Sequence, residues 1–148
     1  AAEAREGLDP VVMRTASKVA VVSRCVRGID DRGLHVTNLA ALREALMRVA
    51  VPGAICLSDG FPVPDFGHDQ RPVVGGDATS AAIAAASIIA KVTRDRFMQR
   101  ADVLHPGWDF ATHVGYSTPE HRDAIQRQGV SPLHRMSFAS TAYQQLAL

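Results

Sequence analysis

Few of the usual chemical signposts are present in this chain. It holds two cysteines, Cys25 and Cys56, each inside an apolar run. A disulfide framework would need more of them, and a zinc site would need paired Cys/His spacing, so both are excluded. The two side chains read as buried thiols in a reducing compartment. No apolar run approaches the roughly 20 residues that span a bilayer, and no basic segment followed by an apolar one opens the chain. The expectation is a soluble, cytoplasmic protein with no membrane partner. An excess of one charge sign is lacking too: 16 basic against 15 acidic residues give a formal net charge of +1. Only local clustering could then point to a polyanion. A Gly-rich Walker loop, a G-x-S-x-G elbow and an H-E-x-x-H pair are all missing, so nucleophilic Ser or Cys catalysis has no support.

What is present fits one α/β domain. The 148 residues are 47% hydrophobic and 21% charged, without repeats or low-complexity tracts, which is enough chain for a real core. The opening "AAEAREGLDP" lacks an initiator Met and reads as the middle of a helix, restarted at Asp9-Pro10, where Asp caps and Pro suits the first helical position. "SKVAVVSRCVRG" predicts a strand and "GIDDRG" a turn-rich connection. "TNLAALREALMRVA" sets Leu39, Leu42, Leu46 and Val49 at helical spacing behind a cap at Thr37 or Asn38. "VPGAICLSD" predicts a short strand covered on both faces. A Pro-rich loop runs to Gly75-Gly76-Asp77, and a long helix covers about Thr79 to Arg100. "LHPGWDFATHVGYST" reads as a loop. "TPEHRDAIQRQG" is a helix marked at both ends, by Thr118 and Pro119 and by Gly129. The order α-β-α-β-α-α predicts helices packed on a sheet.

Two aspartates frame the Pro-rich loop. Asp59 ends a buried strand, where a carboxylate projects into the crevice in which open α/β sheets bind ligands. Asp77 opens a helix, whose N-terminus favours the ionised form. Hard cations such as Mg²⁺ take such oxygen ligands together with water and phosphate. Equally, Asp-Gly is a turn dipeptide and Asp a common residue at helix starts, so spacing alone leaves both readings open. The helix that follows is dense in Ala and Ser, which permits close packing, and carries Lys91, Arg94 and Arg96 toward its far end. Aromatics are only 5% of the chain, yet Trp108, Phe110 and Tyr116 crowd into one loop with His105 and His113. Such a group is either a stacking surface for sugars or bases or a small core pinning the loop. Tyr116, beside Gly115, is the best placed to be exposed. Near the end, His134 and Arg135 are adjacent. Arg suits bidentate phosphate recognition, and an internal ion pair is the alternative.

Taken in order, "LSDG", "GGDATSAAIAAASIIAKVTRDRFM", "HPGWDFATHVGYSTPEH" and "GVSPLHRMSF" resemble the successive signatures of the ribonuclease HII family, over nearly the whole chain to Phe138. The resemblance implies a ribonuclease H-like mixed sheet flanked by helices. It implies an endoribonuclease that cuts the RNA strand of RNA–DNA hybrids and incises duplex DNA 5′ to an embedded ribonucleotide. Mg²⁺ or Mn²⁺ would be held by four carboxylates, of which Asp59 and Asp77 match the third and fourth. Tyr116 matches the tyrosine that packs on the deoxyribose after the ribonucleotide. Gly115, His113, Lys91, Arg94 and Arg135 fall within family motifs, with supporting or phosphate-facing roles. The complete enzyme would act as a monomer, with residues from about 101 to 148 forming a helical substrate-binding part of a single domain.

This sequence departs from the family pattern twice. The usual His-Lys-Gly-Tyr reads His113-Val114-Gly115-Tyr116, which removes one positive charge beside the substrate. The family's opening Asp-Glu-x-Gly-Arg-Gly motif, source of the other two carboxylates and of the contact to the ribose 2′-hydroxyl, has no match in the 148 residues. The expectation is therefore an incomplete domain, without the first central strands and inactive or nearly so alone. The alternatives are half of a split enzyme needing a partner chain, a non-catalytic or decayed fragment, and, more distantly, a small-molecule hydrolase using the histidines.

Overall fold

The computed structural model describes residues 2–138, in nine elements. These are α1 (Ala2–Thr15), α2 (Val26–Arg32), α3 (Leu34–Val49), β1 (Cys56–Asp59), β2 (Gln70–Val73), α4 (Gly76–Thr79), α5 (Ala81–Leu104), α6 (Phe110–His113) and α7 (Pro119–Gln128). The chain divides into two compact units. One takes the residues up to Arg24 with Leu34–Val92, and the other takes Cys25–Gly33 with the residues from Thr93 onward.

The first unit is built around β1 and β2, which pair in parallel in the register Cys56↔Gln70 to Asp59↔Val73. The fold class is thus α/β with a small two-stranded parallel sheet, compatible with a ribonuclease H-like architecture. β2 lies in the stretch expected to be a Pro-rich loop; Pro72 is accommodated because β2 pairs on one side only among the described residues. The crossover from Gly60 to Asp69 is short for a parallel pair and carries no helix. Side chains brace it instead. Gln70 mimics a ladder partner, its Oε1 accepting from Val63 N at 2.7 Å and its Nε2 donating to Val63 O at 2.8 Å. Ser58 Oγ donates to Phe61 O at 2.7 Å, and Arg43 Nε to Asp65 O at 2.9 Å. The crossover thereby drops Val63 and Phe66 into a core with Cys56, packed against Leu42, Leu46 and Ala50 of the α3 end. Val63 and Phe66, almost fully buried, each contribute about 1.5–3 kcal/mol on burial.

Several expectations for this unit need correction. Exposure alternates along Val19–Val26 as in a strand, but no strand is formed there among the described residues. Branched side chains favour a strand, but a ladder also needs a neighbour. Helix α3 begins at Leu34 rather than behind Thr37 or Asn38, and Thr37 lies buried within it. Pro10 falls inside α1 instead of restarting it. Leu39, Leu42, Leu46 and Val49 do share a half-buried face.

In the second unit, "GIDDRG" is not a turn: α2 takes in Gly28 to Arg32, and Gly33 ends it at φ 83°, donating to Ile29 O at 2.8 Å. Cys25, expected to be buried, is exposed ahead of α2, whereas Cys56 is buried. Met98, Ala101 and Phe110 form the core, with Trp108, Val114 and Leu133 against it. α7 starts and stops at the residues its caps announce: Thr118 Oγ1 accepts from His121 N, Pro119 opens the helix, and Gly129 closes it at φ 78°. The short α6 lies within the segment read as loop. No helix among the described residues is long and apolar enough to cross a membrane.

Candidate active site

In the first unit, β1 delivers Asp59 to the carboxyl end of the sheet. Beyond β2 the chain turns through Gly75, left-handed at φ 63°, into the first turn of α4. There the N–H of Gly76 donates to Asp59 Oδ1 at 2.9 Å. Glycine fits closely at position 76: an added Cβ would collide with Ile83 Cδ1, so that side chain would have to shift, and would sit 3.3 Å from its Cγ2 and 3.4 Å from Val73 Cβ. That close approach brings the Asp59 carboxylate against the backbone immediately preceding Asp77. Lys91 Nζ lies 3.8 Å from Asp77 Oδ2, with both side chains about half exposed (49% and 47%). An ion pair so exposed contributes little to stability; its effect is to set a mobile positive charge beside the carboxylate.

The corner therefore holds two solvent-facing carboxylates and an ammonium group. The oxygen donors suit a hard divalent cation. Asp59 has one oxygen engaged by Gly76 and the other available, so the pair fits as two ligands of a metal. It does not make a closed site, since no group of three or more His, Cys, Asp or Glu residues gathers among the described residues.

In the second unit, Tyr116 projects into solvent, 62% exposed, with the Arg94 guanidinium 5.2 Å from its ring centroid. Gly115 precedes it at φ 80°, where an added Cβ would come within 3.0 Å of Arg94 Nη2 and 3.3 Å of Met98 Cε. Val114 is also left-handed, at φ 43°, an unusual conformation for a branched residue. His113 is buried. Its Nδ1 accepts from Gly115 N at 3.0 Å, so its Nε2–H donates to Trp108 O at 2.6 Å. With both nitrogens engaged, its imidazole has none left for a ligand. His113 also stacks on His121, 4.0 Å between centroids, and His121 and His134 meet Nε2 to Nε2 at 2.9 Å. Burial pushes the His121 imidazole below its ordinary 6.5 and takes His134 down to about 4.

Arg135 is half-buried, its guanidinium 4.8 Å from the Phe138 ring. The segment that carries it is fixed by Asp30, whose Oδ2 accepts from Met136 N at 3.0 Å and whose Oδ1 accepts from Ser137 N at 3.0 Å and Ser137 Oγ at 2.6 Å. Those bonds hold the Asp30 carboxyl below its usual range. Of the residues singled out from sequence, Asp59, Asp77 and Lys91 come together in one unit; Tyr116, Gly115, His113 and Arg94 come together in the other. Asp30 and His121 were not legible as site residues. No spacing links them to their partners, although three of the six histidines fall between positions 113 and 134.

The family model for ribonuclease HII matches residues 2–141. The ribonuclease HII of Rhodococcus erythropolis is 46% identical over 137 residues, which is 93% of this chain and 61% of the relative. That of Mycobacterium tuberculosis H37Rv is 48% identical over 136 residues, 92% of this chain and 52% of the relative. That of Mycobacterium avium is 48% identical over 134 residues, 90% and 58% respectively. The chain thus spans about half to three-fifths of the length of the curated relatives it matches. The chain belongs to the ribonuclease HII family.

Proposed function

We infer that this chain is part of a divalent-metal-dependent endonuclease that hydrolyses the RNA strand of RNA–DNA hybrids and incises duplex DNA 5′ to an embedded ribonucleotide. The observation that carries the reading is the Gly76 N–H···Asp59 Oδ1 hydrogen bond, 2.9 Å, which joins the family's two acidic motifs at one corner. Asp59 and Asp77 act there as metal ligands rather than general bases. When bound, Mg²⁺ or Mn²⁺ supplies an activated water and neutralises charge on the leaving oxygen. The chain's own residues orient and bind. The Gly76 amide fixes the Asp59 carboxylate, and the Lys91 ammonium balances Asp77 until substrate arrives, then turns to phosphate. The Tyr116 ring packs on the deoxyribose after the ribonucleotide, Gly115 lets the backbone approach closely, and Arg94 and Arg135 face phosphates. His113 works from behind, on the backbone that carries Tyr116.

Two carboxylates leave a hard cation short of protein ligands, so the 148-residue chain alone should show little or no activity. The second reading, half of a split enzyme completed by another polypeptide, is favoured by one observation: the Val-rich, alternately exposed Val19–Ser23 segment lacks a strand partner among the described residues. One experiment tests both. Duplex DNA with a single ribonucleotide is incubated with the chain in Mg²⁺ and in Mn²⁺, with and without a polypeptide carrying Asp-Glu-x-Gly-Arg-Gly. Asp59→Asn and Asp77→Asn serve as controls. Incision 5′ to the ribonucleotide that requires the added polypeptide and both aspartates supports the reading. Incision by the chain alone overturns its incompleteness, and incision indifferent to both aspartates overturns the site.

A further inference from the structure

Two of the three buried histidines of the second unit, His134 and His121, form a directed hydrogen-bonded chain, and its direction can be worked out from the backbone. The Ser131 N–H can only donate, and it points at His134 Nδ1, 2.8 Å away; Ser131 Oγ lies at 2.8 Å from the same nitrogen. His134 Nδ1 is therefore an acceptor, and the proton of the neutral ring sits on Nε2. That N–H donates to His121 Nε2 at 2.9 Å, which makes His121 the opposite tautomer. Its Nδ1–H then donates to the Tyr116 carbonyl at 2.9 Å. Every polar atom of the chain finds a complement only in this order. The chain starts at the Ser131–His134 turn and ends on the backbone of Tyr116.

That endpoint is strained from the other side. Val114 and Gly115 are both left-handed, a conformation a branched residue keeps only where its surroundings enforce it. His113 clamps this bend by bonding both Trp108 O and Gly115 N, and its ring is stacked on His121. Tyr116 itself is exposed, with Arg94 behind its ring, and its backbone is the part that buried groups can hold.

We propose that His121 and His134 are positioning residues for Tyr116: the Ser131→His134→His121→Tyr116 hydrogen-bond chain fixes the aromatic ring in the orientation that discriminates a ribonucleotide–deoxyribonucleotide junction. This rests on the reading of Tyr116 as the residue that packs on the sugar. The low proton affinity that burial gives both rings keeps them neutral, and so keeps the order of donors intact, at neutral pH.

The test uses the intact 148-residue chain. Long-range ¹H–¹⁵N spectra report the tautomers: His121 is expected as Nδ1–H, His134 as Nε2–H, and the reverse for either overturns the proposal. ¹³C-labelled tyrosine then follows Tyr116, separated from Tyr143 by the spectrum of Tyr116→Phe. In His134→Phe, which leaves the His121–Tyr116 contact in place, the Tyr116 ring signals are expected to shift or broaden. In His134→Gln, which supplies both an acceptor and a donor, they should return toward the native positions. Binding to duplex DNA with one ribonucleotide, relative to all-DNA duplex, should lose about tenfold of its preference in His134→Phe, the effect of one net hydrogen bond. Native Tyr116 signals in a folded His134→Phe protein overturn the proposal; if that variant does not fold, the tautomers and the Gln variant decide. Tyr116→Ala separates the two claims. If Tyr116→Ala leaves the preference unchanged while His134→Phe still moves the Tyr116 signals, the relay stands and the sugar-packing role of Tyr116 fails.

Discussion

Asp59 and Gly76 are joined by a 2.9 Å hydrogen bond from the glycine amide to Oδ1, at a position where a side chain would crowd Ile83. A methyl group there would run into Ile83 Cδ1, in the first turn of α5. Gly76→Ala is expected to destabilise the protein by about 1–3 kcal/mol, as overpacking does, and to weaken metal binding by moving the Asp59 partner. Ile83→Val removes the obstructing Cδ1, so the double variant should recover part of the loss. Denaturant midpoints of the four proteins in the cycle check it, and simple additivity would sink the explanation.

Asp30 ties α2 to the segment that carries Arg135 through three hydrogen bonds from Met136 and Ser137. Asp30→Ala is expected to release that segment and to speed tryptic cleavage after Arg135, with far-UV circular dichroism little changed. Because the folded carboxyl titrates below its ordinary 3.8, chiefly through the bonds from Ser137, the tie is fully present above that value. It is lost as pH falls through the lowered pKa. Cleavage by an acid-tolerant protease in this segment should therefore rise at low pH in the native protein and stay level in Asp30→Ala.

How much of this was legible in the sequence depended on whether the signal was local. α7 was readable because Thr118, Pro119 and Gly129 each act within one helical turn. The half-buried stripe of α3 was readable from its period, although its start was not: Thr37 looks like a cap but is buried inside the helix. β2 was hidden by Pro72, which a strand tolerates only at an edge. Val19–Ser23 has strand composition, yet a ladder depends on a neighbour that composition cannot supply. The same limit governs the site. Asp59 and Asp77 stood out beside their glycines, whereas the use of Asp30 depends on residues more than a hundred positions away, and that of His121 on His134, thirteen positions on.

Val114, where the resemblance to the family implies Lys, is in a left-handed conformation with its side chain packed near Met98 and Phe110. Val114→Lys keeps an aliphatic stem on that core while the ammonium reaches solvent, and it removes the branch that makes φ 43° costly. The variant is expected to bind ribonucleotide-containing duplex more tightly at low salt. Its plot of log K against log salt should steepen by about one phosphate contact's worth. An unchanged slope would mean that position 114 does not face the nucleic-acid backbone.

The buried imidazoles make a prediction about acid stability whose sign follows from the hydrogen-bond order. His134 titrates at about 4, lowered mainly by burial and then by the nearby His121, and His121 is lowered for the same first reason. His113, stacked on His121, lowers both rings further. An unfolded histidine takes up its proton near 6.5, so between that value and the folded one the unfolded chain binds more protons. The contribution is therefore fully present above about pH 6.5 and is lost as pH falls toward 4; for His134 it is on the order of 3 kcal/mol. Protonation also turns His134 Nδ1 into a donor facing the Ser131 N–H, which breaks the chain at its first link. Urea midpoints between pH 7 and pH 4 should fall steeply in the native protein and less steeply in His134→Gln, which has no proton to gain. Equal slopes would show that His134 is not held neutral by the fold.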